Sequence, residues 1–393
     1  MTLRPLPYHE AVTAILEREN PQAFAAMSPG PTGGPELDAF LLRSTYRLDP
    51  ASHPAPHEAL ARAAGALGVA APAELYVTED PGHDNAELFF APDRVVVLVT
   101  GRLLDLLDAT ELTAILGHEL AHHVLWSADG GRFLAASRLL EAAELDARTP
   151  GEYLETARRF RLATELYADR GAVVAAGAVE PAVSALLKVS TGMRQVDPAA
   201  YLRQAAEVDF SGDGASGGVT HPENVMRAWA LQRWYAVPGD DLALAEEQVA
   251  GAIGPALDLA ALDLLGQDAL LALTRELVRQ AVLVEHLRAP ESLELAGRYG
   301  VTAPPAASPL SELSDDDLSG LPPDTRRYLC AVLADLATAD PDSSHQALRA
   351  AVAVAGRKHL QPDLVRLLVG ELGLGDRDKA RVVADARAMG VLT

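Results

Sequence analysis

The stretch Gly117-His118-Glu119-Leu120-Ala121-His122-His123 constrains this chain more than any other. His118 and His122 are four residues apart, a spacing that brings two imidazoles to one face only when the backbone is helical. Glu119 then projects beside them, within reach of a water held by a shared metal. The flanking residues independently ask for a helix. Asp108-x-x-Glu111 reads as a capping box, and Leu112, Ile115, Leu116 and Leu120 form an apolar stripe. Zinc accepts nitrogen and oxygen ligands and keeps an open position where it is catalytic, so a zinc hydrolase is the first expectation.

Two histidines leave such a site incomplete. The third ligand is expected from Glu165 in Thr164-Glu165-Leu166-Tyr167-Ala168-Asp169-Arg170, inside a second helical pattern running from about Glu152 to Ala176. Glu165 and Asp169 again share one helix face. Glu165 can ligate, and Asp169 can accept a hydrogen bond from the outer nitrogen of a ligand histidine, fixing its ring and tautomer.

With these residues the chain resembles the M48 group of gluzincin metallopeptidases, which includes the HtpX-type membrane proteases and the prenyl-protein (CAAX) proteases. The resemblance runs from about Ala73 to Trp234. It rests on the His-Glu-x-x-His helix, the Glu165 helix, the strand patterns before them, and Thr220-His221-Pro222 with Arg227 five residues past the proline. It implies a mostly α (α+β) fold, a zincin-like peptidase domain with a small β-sheet. It implies one Zn2+ per chain held by His118, His122 and Glu165, with Glu119 as general base. It also implies that His221 either donates to the oxyanion or fills the fourth zinc position at rest. Asn85 and Ala86 open a strand expected at the edge of the cleft, where an extended peptide could add itself. Arg227 is expected either to support the substrate side of that site or to form a surface ion pair.

The sheet is read as Glu74–Thr78, by its Leu-Tyr-Val alternation, with Ala86–Phe90 and Arg94–Thr100, the turns between them marked by Pro81-Gly82 and Pro92-Asp93. Elsewhere the pattern is helical. Leu37–Leu48, His57–Ala66, Phe133–Leu145, Ala182–Met193, Glu223–Tyr235 and Leu242–Leu287 all read as helix, and Trp229 and Trp234 as core anchors. Ala23–Pro35 and the Gly- and Ser-rich Ser211–Gly218 read as loops. Asp324–Thr338, Ser343–Gly356, Pro362–Leu372 and Asp376–Met389 read as four short helices, after a linker at Ala303–Pro309 and an acidic run at Ser314-Asp315-Asp316-Asp317. The expected organisation is a peptidase domain over 1–236, a helical extension over 237–302 and a C-terminal helical domain over 303–393. Stretches of the last domain resemble TerB-like domains.

Composition narrows the partners. Aromatics are 5% against 49% hydrophobic residues, which suits tightly packed helices. A net charge of -22 disfavours nucleic acid and anionic membrane, both polyanions. Cys330 is the lone cysteine, so no intrachain disulfide forms. Met1–Val12 lacks the apolar core of a leader peptide, and Ala172–Leu187, interrupted by Glu180 and Pro181, is too short to span a bilayer. A cytoplasmic location is therefore expected, with a protein or peptide as substrate, and the C-terminal helices are available to a protein partner. Two readings stay open: an active zinc endopeptidase, and a zinc-bearing scaffold with weak or no proteolysis that binds a partner through those helices.

Overall fold

A computed structural model describes residues 3–27, 35–78, 84–91, 94–210, 215–236, 242–254, 257–302, 306–308, 313–340 and 345–371, together with 380 and 384. The chain is mostly helical with one small sheet, and divides into two compact units, 1–255 and 256–393.

The first unit opens with α1 (Pro7–Glu19), α2 (Pro21–Met27) and α3 (Pro35–Ser44), then β1 (Thr45–Arg47) and α4 (Pro54–Leu67). The sheet is completed by β2 (Ala73–Thr78), β3 (Asn85–Phe90) and β4 (Val95–Thr100), in the order β1-β2-β4-β3. Only β2 and β4 are parallel. β4 is interior, and its unbroken run Val95-Val96-Val97-Leu98-Val99 is buried on both faces. Among the described residues β3 pairs with β4 alone and is an edge, where the resemblance places it. β1 corrects the expectation of a helix through Leu48. The helix stops at Ser44 because Thr45, Tyr46 and Arg47 pair with Thr78, Val77 and Tyr76, a long-range contact that local pattern does not carry. The loop expected from Ala23 is also helical as far as Met27, and 28–34 lie outside the described residues.

After α5 (Leu103–Leu106) comes α6 (Ala109–Ser127), the motif helix. Its capping box forms: Asp108 Oδ1 accepts from the N–H groups of Thr110 and Glu111 at 2.8 and 2.9 Å, and Glu111 Oε2 accepts from the Asp108 N–H at 2.8 Å. It ends where Asp129, Gly130 and Gly131 take positive φ, conformations that suit glycine. Next come α7 (Arg132–Glu144), α8 (Gly151–Ala176), α9 (Val179–Thr191), α10 (Pro198–Ala206), α11 (Asn224–Ala236) and α12 (Leu242–Ile253). α8 is nearly surrounded. Every residue from Leu162 to Val173 is buried, including Glu165, Asp169 and Arg170. The main core gathers around it, with Leu166, Tyr167, Phe133, Trp229 and Trp234 among its members.

The second unit contains α13 (Leu264–Ala281), α14 (Pro290–Arg298), α15 (Pro323–Thr338), α16 (His345–Arg357) and α17 (Gln361–Glu371) around their own core. Helix over Leu242–Leu287 is thus interrupted: Asp263 caps α13 through the Gly266 N–H, and the segment 237–302 is shared between the two units. Cys330 is buried in this core. The acidic run is not the start of a helix. Lys358, 2% exposed, donates to Ser314 O, Ser314 Oγ and Asp316 Oδ2 at 2.9, 2.7 and 2.5 Å, and Arg357 reaches Asp315. Most of the helix expected over Asp376–Met389, all but 380 and 384, and most of the Ala303–Pro309 linker lie outside the described residues.

Candidate metal centre

α6 and α8 cross so that His118 and His122 face Glu165. The three side chains offer donor atoms all within 4.8 Å of one another. His118 Nε2 lies 3.5 Å from Glu165 Oε2, and His122 Nε2 lies 3.7 Å from Glu165 Oε1. The outer nitrogen of His118 is engaged: Nδ1 is 3.1 Å from Asp169 Oδ1. Nε2 is thereby left facing inward, the orientation a ligand histidine needs. Asp169 is itself gripped by Arg227, whose Nε and Nη2 donate to its two oxygens at 2.8 and 2.6 Å. The order along this network is Arg227, Asp169, His118, Glu165.

The electrostatics favour a cation at the point where these donors meet. Burial opposes charge on His118, but hydrogen bonds to Asp169 and Glu165 push it up to about 10. Burial drives His122 down to about 4, assisted by the charge on His118. Glu165 is held well below the usual carboxylate range: its burial is outweighed by hydrogen bonds to His118 and His221. Two imidazole nitrogens and one carboxylate oxygen are a donor set suited to a divalent metal, which would displace the Nε2 proton of His118 on binding. The residues present fit the group.

Glu119 is buried beside this set. Burial pushes its carboxyl up to about 7, while the His118 charge and a backbone hydrogen bond from Leu88 of β3 pull it the other way. His118, His122, Glu165 and Glu119 line one cleft of about 450 Å³, whose walls include Asn85 and Ala86 of the edge strand, His221 and Arg227.

His221 approaches from the opposite side. Its Nδ1 is 2.9 Å from Glu165 Oε2, while 62% of its side chain is exposed at the cleft mouth. It is not one of the three grouped donors. Arg227, its side chain 13% exposed, has its guanidinium on Asp169 and also lines the cleft. The extra histidine of the motif, His123, stands apart from the donor group, its ring 5.5 Å from that of Phe90. His57 bonds the Leu48 carbonyl, and His53 packs by Tyr46.

Two features of the site are invisible to residue spacing. Arg227 as the holder of Asp169 is one. The other is the tie between the motif helix and α9, where Ser184 Oγ and Lys188 Nζ donate to the capping residue Glu111 at 2.6 and 2.7 Å. The charged residues were visible in the sequence, but their partners lie 58 to 77 positions away.

Among the described residues no helix is long and apolar enough to cross a membrane. Residues 50–235 match the model of peptidase family M48, a span that contains the Ala73–Trp234 region picked out by the motifs. A curated relative, the plastoglobule-localized metallopeptidase 48, chloroplastic, of Arabidopsis thaliana, is 29% identical over 196 residues, covering 45% of this chain and 56% of its own length. The chain thus spans little more than half of that relative. No solved structure matches the chain. α6, α8, Glu119 and the edge strand all lie inside the span, residues 50–235, that matches peptidase family M48.

Proposed function

We propose that this protein is a zinc-dependent metalloendopeptidase acting on protein or peptide substrates. One observation carries the reading: the donors of His118, His122 and Glu165 lie within 4.8 Å of one another, with the buried Glu119 next to them in an open cleft. Zinc held by these three residues supplies Lewis-acid polarisation of the scissile carbonyl and lowers the pKa of water near neutrality.

The chain's own residues do the rest. Glu119 takes the proton from the attacking water on a carboxylate oxygen and hands it to the departing amine nitrogen. The backbone N–H of Leu88 and the packing of α6 hold that carboxylate in place. Asp169 keeps the Nδ1 proton of His118 and so fixes the ring. His221 Nδ1 donates to Glu165, so Nε2 turns to the cleft and donates toward the oxyanion only when both ring nitrogens carry a proton. Among the described residues β3 has a single strand partner, so its cleft-side edge is available to an extended peptide, held by backbone bonds whatever its side chains. Binding along an edge engages residues on both sides of the scissile bond, which favours internal cleavage. Action in the cytoplasm is part of this reading.

The test is metal analysis of the purified full chain, followed by incubation with an unfolded protein with and without a chelator. Glu119→Gln should abolish cleavage and keep one zinc per chain; His118→Ala and Glu165→Ala should lose the metal. Full activity in Glu119→Gln would overturn the reading. Substrate binding that survives the loss of both zinc and Glu119 would favour a scaffold instead.

A further inference from the structure

We infer that Arg158 is the positioning residue for His221, fastening the loop that carries it to the ligand helix and to the end of α12. For catalysis this rests on the role given to His221 above.

Arg158 lies two turns before Glu165 on α8 and Arg161 one turn before it, so all three lie along one stripe of the helix. The chain from Ser216 to His221 runs along that stripe. Arg158 Nη1 donates to the carbonyls of Ser216 and Gly218 at 3.2 and 3.0 Å, and Arg161 Nη1 donates to the carbonyl of Val219 at 2.9 Å. The next contact along the row is His221 Nδ1 with Glu165 Oε2. Gly218 makes the turn possible: a Cβ there would lie 2.1 Å from the His221 carbonyl oxygen.

The remaining donors of Arg158 are also matched. Nε and Nη2 form a fork onto Glu155 at 2.8 and 2.7 Å, and Nη2 also donates to the Ile253 carbonyl at 3.1 Å. A guanidinium has five N–H groups, and here each has an acceptor. Lysine has three donors on a point charge and cannot reproduce the fork. The loop and the end of α12 are joined a second time, because the Ser216 N–H donates to the Ala252 carbonyl at 2.8 Å. From the other side, Glu223 binds Ser216 Oγ at 2.6 Å and the Gly217 N–H at 3.0 Å. One side chain therefore holds two segments that meet nowhere in sequence, and the placement of His221 depends on both.

The experiment compares zinc-loaded full-length wild type with Arg158→Gln, Arg158→Lys, His221→Ala and the Arg158→Gln/His221→Ala double variant. Hydrogen–deuterium exchange should rise together at 215–221 and 252–254 in Arg158→Gln, with zinc content unchanged, and Arg158→Lys should not restore protection. Against an unfolded protein substrate, kcat of Arg158→Gln should fall toward that of His221→Ala, on the order of tenfold or more. The double variant should be no slower than His221→Ala alone. Unchanged exchange at 215–221 would overturn the proposal, as would an equal loss of kcat on adding Arg158→Gln to His221→Ala, which a merely destabilised fold would give. If no form cleaves any substrate, the proteolytic reading falls, and the exchange data still decide whether Arg158 fastens the loop.

Discussion

Gly117 on the motif helix and Gly171 on the ligand helix lie against each other at the crossing of α6 and α8. A Cβ on Gly117 would sit 2.3 Å from Ala175 Cβ and 2.9 Å from the Gly171 carbonyl oxygen; one on Gly171 would sit 2.3 Å from Ala121 Cβ and 2.9 Å from the Gly117 carbonyl oxygen. Both glycines are helical, where glycine costs about 1 kcal/mol relative to alanine. The close approach explains them. Gly117 precedes His118, so the backbones meet one residue from a metal-capable donor.

Replacing either glycine by alanine should push the two helices apart and separate Glu165 from the imidazoles. Overpacking of this kind typically costs about 1–3 kcal/mol. The expected result for Gly117→Ala is a lower denaturation midpoint together with weaker zinc binding, read by urea titration and competition with a chromophoric chelator. Alanine raising stability, as helix propensity alone would have it, is the contrary result.

Asp169→Asn should keep the fold and weaken zinc binding. The amide no longer supports the Nδ1 proton of His118 and leaves the half-buried guanidinium of Arg227 without its carboxylate. Loss of such a partner typically lowers metal affinity about 10–100-fold. Chelator competition at constant pH measures it, and unchanged affinity would contradict the network described here.

His9 gives a pH dependence from outside the donor group itself. It is fully buried; the Leu6 N–H donates to Nδ1, and Nε2 bonds Thr164 Oγ1 at 3.1 Å. Thr164 donates onward to the Phe160 carbonyl at 2.9 Å, so the neutral Nε2–H tautomer satisfies every partner. Burial, with the nearby His122 adding to it, pushes His9 down to about 3. Its folded value is below its unfolded one, so the unfolded state binds the extra proton. Stability therefore falls as pH drops from about 6.5 toward 3, by up to roughly 1.4 kcal/mol per pH unit. His9→Phe should be less stable at pH 8 and lose part of this slope, measured by urea unfolding at a series of pH values. A slope identical to wild type would show that His9 does not carry it.

Lys358→Met should destabilise the second unit. Its ammonium bonds Ser314 and Asp316 from a buried position, and methionine fills the volume without the charge. Losing a network of this kind costs about 1–3 kcal/mol. Loosening of 313–318 in hydrogen exchange, without change at the metal centre, is the accompanying sign; unchanged exchange at 313–318 would argue against the clamp.

How much of this was legible depends on the range of the interactions. The motif helix was readable because its signals are local: Asp108 and Glu111 are three apart, and the histidines four. The strands showed as short apolar runs between turn residues, Glu74–Thr78 by its alternation. Glu165 and Asp169 could be picked out by the same four-residue arithmetic. The strand at Thr45–Arg47 could not, since it exists through pairing with Tyr76–Thr78. Nor could the break before α13, or the capture of Asp315 and Asp316 by Arg357 and Lys358 some forty residues on. An interior glycine in each of two strong helical patterns was the available hint of the crossing, but it does not say which helix answers which.

By itself, the sequence determined which residue types stand one helical turn apart, and with them the two imidazoles, the acid between them and the Glu165–Asp169 pair. Periodicity and capping act over a few residues, so they are written in the chain. Only the tertiary structure decided that the two helices meet at Gly117 and Gly171, that Arg227 answers Asp169, and that Arg158 holds the His221 loop. Those contacts join segments tens of residues apart, and their energies depend on packing and burial that exist only once the chain has folded.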